Sequence, residues 1–352
     1  MSARQVHLFF PYHAGLGGSQ MRALEIAKGL RERHGAEVSL WATSSRLPAA
    51  LRKQHGVRWF APWRVFDSRL KSSSFVFIGS FWKPRSWLRR MRPKQLTIIV
   101  NDMNVANLSA HLPVYRQMHA QPQIAFTSHT QRRLFDGESL GGVHVSPIDL
   151  ERFKPAADKP MQAGRLRLGR HSRDTLDKHQ FLYDPELYAT LAAEDIDIDL
   201  MGASCIEHLL PQSLNIHLRP AGSMDAADYL RSLDCFIYRT GTFYDTAARA
   251  VREAMACGLP VVCHRFGGHV ENIVHGENGF VFDDQQQAIE IVRRLRDDVE
   301  LRRRIGANAR ATMEALFAPG KLDAMYASYL GEEAVEKSAA AVDNGSVLSR
   351  AA

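Results

Sequence analysis

Only four cysteines occur in the 352-residue chain, and no two of them form a C-x-x-C pair. Thiolate metal-ligand spacing is therefore absent. A chain of this length needs no disulfides to hold a core, so reduced, mostly buried thiols are expected. No H-x-x-x-H pair is present, which argues against a zinc site on a helix. No run of eighteen apolar residues appears, so no transmembrane helix is indicated. The opening "MSARQVHLFFPYHAG" enters a strand almost at once, without a signal-peptide core and cleavage site. A cytoplasmic location is expected on that ground. Acidic residues are the minority charge, 38 against 45 Lys and Arg, a net charge of +7. That balance favours anionic partners: nucleotide phosphates, anionic lipid or nucleic acid.

What is present reads as two α/β units in succession. "VHLFF", "EVSLWA", "FVFIGS", "LTIIVND" and "QIAFTS" are short apolar runs bounded by polar or turn residues. Continuous runs of this kind mark parallel strands covered on both faces. A helical stripe of Met21, Leu24, Ala27 and Leu30 is expected between the first two, ending near Gly35. "SPIDLERFKPAADKP" (146–160) has three prolines and no apolar period, and reads as a linker. A second series follows: "RLRLG", "IDIDLMG", "NIHLR", "DCFIY", "LPVVC" and "GFVFDD". The expected organisation is an N-terminal Rossmann-like domain over 1–155, a C-terminal one with its helices over 156–330, and a mobile tail over 331–352. Two such doubly wound domains would face a central cleft and bind ligands at the carboxyl ends of their strands.

Four constellations could carry chemistry, three of them at that cleft and one on a surface. "GLGGSQ" (15–20) joins a strand to a helix; Gly17 and Gly18 let backbone approach a ligand where a helix N-terminus favours an anion. Gln20 breaks the G-x-G-x-x-G fingerprint, and a plain turn is the alternative. "LGRHSRDTLDK" (168–178) carries Arg170 and Lys178, cations suited to phosphate, or simply a solvated basic loop. "DTAARAVREAMACGLP" (245–260) reads as a helix from about Thr246 to Cys257, with Asp245 as N-cap and Gly258 as stop. Folding explains Asp245 but not Glu253, which sits where the helix dipole disfavours negative charge. Glu253 is either a surface residue paired with Arg249 or a carboxylate for a ligand diol such as ribose. "FWKPRSWLRRMRPK" (81–94) interleaves Trp82, Lys83, Arg85, Trp87, Arg89, Arg90 and Arg92 without an acid. It suits an anionic membrane surface, or a solvated basic helix with its aromatics turned inward. No nucleic-acid-binding signature accompanies it, so no nucleic-acid partner is expected. "DIDID" (195–199) alternates as a strand does and is read as structural.

Taken together these residues resemble family 4 of the retaining glycosyltransferases, which have the GT-B fold. The resemblance is most specific in "REAMACGLPVVCHRFGGHVENIVHGENGFVF" (252–282), and extends through "HVSPIDLERFKP", the "GR…K" loop and "GGSQMRALEIAKGL". It implies a hexosyl transfer from a UDP- or GDP-linked sugar to a glycan or lipid-linked saccharide, in polysaccharide or lipopolysaccharide assembly. No metal or cofactor is implied. Arg170 and Lys178 would neutralise the diphosphate, and Glu253 would hold the ribose. Asp245 stands in place of the first glutamate of the family's pair, and Asn101 in place of a histidine that touches the transferring sugar. Gly17 and Gly18 match the glycines that approach the donor. Because of Asp245 and Asn101, a non-catalytic nucleotide-sugar-binding protein of the same fold is the second reading.

Overall fold

A computed structural model describes residues 4–11, 17–42, 47, 49–79, 88–135, 141–157, 159–194, 196–212 and 214–332. The first half runs β1 (Gln5–Phe10), α1 (Gly18–His34), β2 (Glu37–Ala42), α2 (Ala49–His55), β3 (Arg58–Trp59), β4 (Ser74–Ile78), β5 (Gln95–Ile99), α3 (Val105–Met118), β6 (Gln123–Ala125) and α4 (His129–Arg133). The second runs β7 (Arg167–His171), α5 (Asp184–Ala192), β8 (Asp197–Met201), β9 (Ile216–Arg219), α6 (Ala226–Ser232), β10 (Cys235–Tyr238), α7 (Arg249–Ala256), β11 (Val261–His264), β12 (Phe280–Phe282), α8 (Gln285–Asp297), α9 (Val299–Leu316) and α10 (Pro319–Leu330). Each expected apolar run became a strand. Only the two-residue edge strand β3 lacks a matching run, because both its side chains are exposed.

Two six-stranded sheets result, β3-β2-β1-β4-β5-β6 and β12-β11-β10-β7-β8-β9. Counted within its own half, each has the order 3-2-1-4-5-6, and the paired strands are parallel. The physical cause shows in β1. Val6, Leu8 and Phe10 enter a core shared with α1, while Phe9 packs on the opposite face with Trp41, Phe75 and Phe77. Side chains alternate across a strand, so a strand buried on both faces must be apolar throughout. The second sheet is likewise flanked by two cores.

Of the "DIDID" segment, Asp197 to Asp199 lie in strand β8, and Asp195 lies outside the described residues. Asp199 is 1% exposed and takes a two-pronged contact from Arg219 at 2.8 and 2.9 Å. Cys235, Cys257 and Cys263 are buried, and all four cysteines are free thiols.

Two expectations are corrected. The buried stripe of α1 is Ala23, Ile26, Ala27 and Leu30, with Met21 and Leu24 only half-buried. A second partner sets that face: Gly29 lies against the Tyr326 ring, where a Cβ would come within 2.2 Å. Helix α7 starts at Arg249, three residues late, because Ala248 takes a positive φ of 27°. Its end is as expected, with Gly258 at φ 71°. The two halves also exchange elements. Ile148 and Phe153, from the linker, join the second core, and α10 returns to the first sheet. Arg33 grips Asp323 at 2.6 and 2.9 Å, and Tyr329 meets His144 at 3.0 Å. The chain thus crosses between its halves twice.

Candidate functional site

In both sheets the winding reverses between the first and fourth strands of the half, at β1/β4 and at β7/β10. Loops leaving the carboxyl ends of those strands part there and leave a crevice. The loop after β1 ends in Gly17, whose N–H donates to Gln20 Oε1 at 2.9 Å, while Gln20 Nε2 reaches the Pro11 carbonyl at 2.5 Å. A Cβ on Gly17 would lie 3.9 Å from Arg173 Cδ, so the loop after β1 sits against the loop after β7. The two crevices therefore face each other. Gly18 borders open space. Asn101, just past β5, donates from Nδ2 to Ser19 Oγ at 2.7 Å; its Oδ1 is buried without a partner. Gly17, Gly18 and Asn101 thus gather at one edge, as expected.

Lys178 and Asp245 meet at the β7/β10 crevice, although 67 residues separate them. Lys178 Nζ lies 3.2 Å from Asp245 Oδ2 and 4.4 Å from the centre of the Phe243 ring. The Tyr238 hydroxyl donates to the same oxygen at 2.8 Å. Asp245 Oδ1 accepts the N–H groups of Ala247 and Ala248 at 3.2 and 2.8 Å. Burial alone would raise the carboxyl pKa. The Lys178 ammonium, the two N–H groups and the Tyr238 hydroxyl outweigh it and hold Asp245 well below the usual carboxylate range. Asp245 is thus an anchor that orients Lys178, with both oxygens committed.

Glu253 is 6% exposed, not a surface residue. It pairs with Arg249 at 2.7 Å through Oε1 and with His171 at 3.5 Å through Oε2. Burial pushes its pKa up, but His171 and Arg249 prevail and lower it. Both pairing with Arg249 and approach to the crevice therefore hold, because His171 ends β7 at the switch point.

Arg170 departs from expectation. Strand β7 runs two residues beyond the apolar run "RLRLG", so Arg170 lies within the sheet and is 2% exposed. Its Nη1 faces Asp184 at 3.2 Å, its Nη2 donates to the Lys178 carbonyl, and Tyr238 covers it at 5.3 Å. It fastens the base of the loop that carries Lys178 and does not reach the crevice. The cation that does is Arg173, with a side chain 52% exposed and a loose contact to Asp177 at 3.4 Å. Sequence reading passed over Arg173; the usable signal was its place beyond the strand end, where a side chain is free of the sheet.

Of the basic-aromatic run, Trp82, Lys83, Arg85 and Trp87 lie outside the described residues. Arg89 and Arg90 form a short 3-10 turn and are exposed, as is Arg92. Packed beside that turn is another, Pro62–Phe66, which exposes Trp63 (66%) and Phe66 (79%). No sequence signal had joined these aromatics to the arginines. Among the described residues no helix is long and apolar enough to cross a membrane.

Comparison with known proteins adds a family match over part of the chain and a fold. Residues 206–312 match the family described as "Glycosyl transferases group 1". The chain superposes on HepE of Anabaena, solved in complex with UDP-glucose, with a TM-score of 0.73 at 18% identity, covering 92% of this chain and 99% of that one. N-acetyl-alpha-D-glucosaminyl L-malate synthase of Bacillus anthracis is 38% identical over 77 residues, 21% of this chain and 20% of that protein. The capsular polysaccharide biosynthesis glycosyltransferase CapM of Staphylococcus aureus is 27% identical over 114 residues, 31% of this chain and 30% of CapM. The matched segments thus span a third or less of these two curated relatives.

Proposed function

The chain has the GT-B fold and carries the group 1 glycosyltransferase segment, and from that premise we propose that it is a retaining hexosyltransferase using a nucleotide-diphosphate sugar. One juxtaposition carries the reading: Arg173 and Lys178 stand at the β7/β10 switch point, opposite the glycine loop that follows β1. Paired cations at such a crevice suit a diphosphate. Lys178 is already oriented by Asp245. Glu253, in the same crevice, exchanges His171 for a ribose diol, with Arg249 retained as its counter-ion. Asn101, with its free Oδ1, lies on the side of the transferring sugar.

The chemistry then needs no protein nucleophile. The diphosphate leaves with the bonding electron pair, and Arg173 and Lys178 stabilise its growing charge. The acceptor oxygen attacks from the leaving-group face and passes its proton to a diphosphate oxygen. Charge neutralisation by these cations replaces a metal ion in this reading, and EDTA is expected to leave the rate unchanged. The acceptor is a glycan or lipid-linked saccharide in polysaccharide or lipopolysaccharide assembly, a reading supported by the likeness to CapM. The exposed Trp63, Phe66, Arg89, Arg90 and Arg92 bring the protein to the anionic inner membrane face, where a lipid-linked acceptor resides.

A thermal-shift panel of UDP, GDP, ADP and dTDP on the wild type and on Lys178→Ala and Glu253→Ala tests the donor site. One nucleotide at a hundredfold its dissociation constant adds about 2.7 kcal/mol to the wild type alone. No shift with any nucleotide rejects the reading. Binding without turnover or donor hydrolysis under any acceptor leaves the non-catalytic alternative.

A further inference from the structure

Buried charges in proteins are paired, because an unpaired guanidinium out of water is strongly unfavourable. Arg252 on α7 breaks that rule. It is 1% exposed, and its Nε and Nη1 are buried without a partner. The two carboxylates that act on it, Asp245 and Glu271, are already engaged, and Glu253 on its helix and Glu25 beside it face Arg249. Asp245 serves Lys178, Tyr238 and two backbone N–H groups. Glu253 serves Arg249 and His171. Both oxygens of Glu271 accept backbone N–H groups at the start of α4, His129 at 2.8 Å and Thr130.

Helix α1 of the other half lies against α7 here: Glu25 is 3.9 Å from Arg249, and the Arg22 charge bears on Arg252. Arg22 on α1 is 3% exposed, its Nε is also unpartnered, and its Nη2 donates to the His144 carbonyl. Burial first, and the Arg22 charge second, pull the Arg252 pKa down to about 10. The two halves are in close contact here: a Cβ on Gly268 would lie 2.8 Å from Ser128 Oγ. Two buried guanidiniums with idle donors, one from each half, are what an oxyanion would bridge. A methionine or leucine of similar volume would suit a merely structural role better.

We propose that Arg22 and Arg252 form a site for a phosphate or carboxylate oxyanion at the seam between the two halves, and that the anionic group of the acceptor occupies it. The identity of the occupant as acceptor rests on the transferase reading; the anion site itself does not.

Inorganic phosphate and acetate, titrated at constant ionic strength with sodium chloride as control, test this on the full chain. Melting temperature is read for the wild type, Arg252→Met, Arg22→Met and Arg173→Ala. Expected is a saturable rise of about 3 °C in the wild type and in Arg173→Ala, absent from Arg252→Met and Arg22→Met. A rise with phosphate alone assigns a phosphate-bearing acceptor; a rise with acetate alone assigns a carboxylate. No rise in the wild type, or an equal rise in Arg252→Met, overturns the proposal. Arg252→Met removes an unpaired buried charge and should fold; if it does not, Arg252→Lys must show at least a tenfold weaker half-saturation. The two readings fail separately. A nucleotide shift kept in Arg252→Met but lost in Arg173→Ala upholds the donor site whatever phosphate does.

Discussion

Arg170 and Arg173 stand three residues apart and should respond to substitution in opposite ways. Arg170 is 2% exposed and faces Asp184, itself 1% exposed. Breaking a buried pair by removing one partner costs about 3–5 kcal/mol, since the other charge is stranded. Here the lower end applies. Asp184 keeps the Gln180 N–H at 3.0 Å and the more distant Arg239 at 3.9 Å. Arg170→Met should therefore cost about 3 kcal/mol, a fall in Tm of roughly 5–10 °C. Pairing it with Asp184→Leu should recover most of that loss, because an apolar pair needs no counter-charge. Arg173 is half exposed, and its 3.4 Å contact with Asp177 is worth less than about 1 kcal/mol. Arg173→Ala should leave Tm within about 2 °C yet weaken nucleotide diphosphate binding roughly tenfold to a hundredfold, the worth of one charge-assisted hydrogen bond. Thermal denaturation and calorimetric titration with the stabilising nucleotide read the two effects separately. Unchanged nucleotide affinity in Arg173→Ala, or an Arg170→Met protein as stable as the wild type, would refute the assignment.

Three further outcomes follow from named contacts. His7, His144, His179 and His269 are all pulled down to about 4, mainly by burial. The unfolded chain takes up these protons near pH 6.5 and the folded chain only near 4. Stability is thus complete above pH 6.5 and falls by up to about 3 kcal/mol per histidine toward pH 4, as denaturant midpoints across that range will show. His7→Gln should flatten part of the slope, since its Nδ1 accepts the Trp41 indole N–H at 2.9 Å only while unprotonated. Gly268→Ala places a Cβ 1.8 Å from the Thr246 carbonyl oxygen, so the turn must move. A loss of about 2–4 kcal/mol is expected, and a Tm equal to the wild type would contradict it. Reversing Arg89 and Arg90 to Glu should lower partition onto anionic vesicles more than thirtyfold, at about 1 kcal/mol per cation lost. Trp63→Ala with Phe66→Ala should lower it further, and co-sedimentation matching the wild type would remove the membrane surface.

Much of this protein was legible in the chain because its cause is local. Apolar runs of strand length become strands of two-sided sheets, since burial on both faces leaves no room for alternation. Gly35 and Gly258 end their helices at positive φ, as glycines past a helix end do. The gathering of Gly17, Asn101, Lys178 and Asp245 beyond strand ends, with Glu253 on α7 reaching His171 at the end of β7, follows from the winding of a parallel sheet. What the linear chain could not decide was which way each polar side chain faces once neighbours from afar arrive. Two extra residues of β7 place Arg170 inside the sheet, 3.2 Å from Asp184. The Tyr326 ring rotated the buried stripe of α1, and Ala248 delayed α7. Arg22 on α1 and Arg252 on α7 come to one seam, where Glu25 lies 3.9 Å from Arg249, only through the double crossing of the chain. Local patterning thus determined the elements and their class, while long-range packing decided which charges are spent inside the protein and which are left for a ligand.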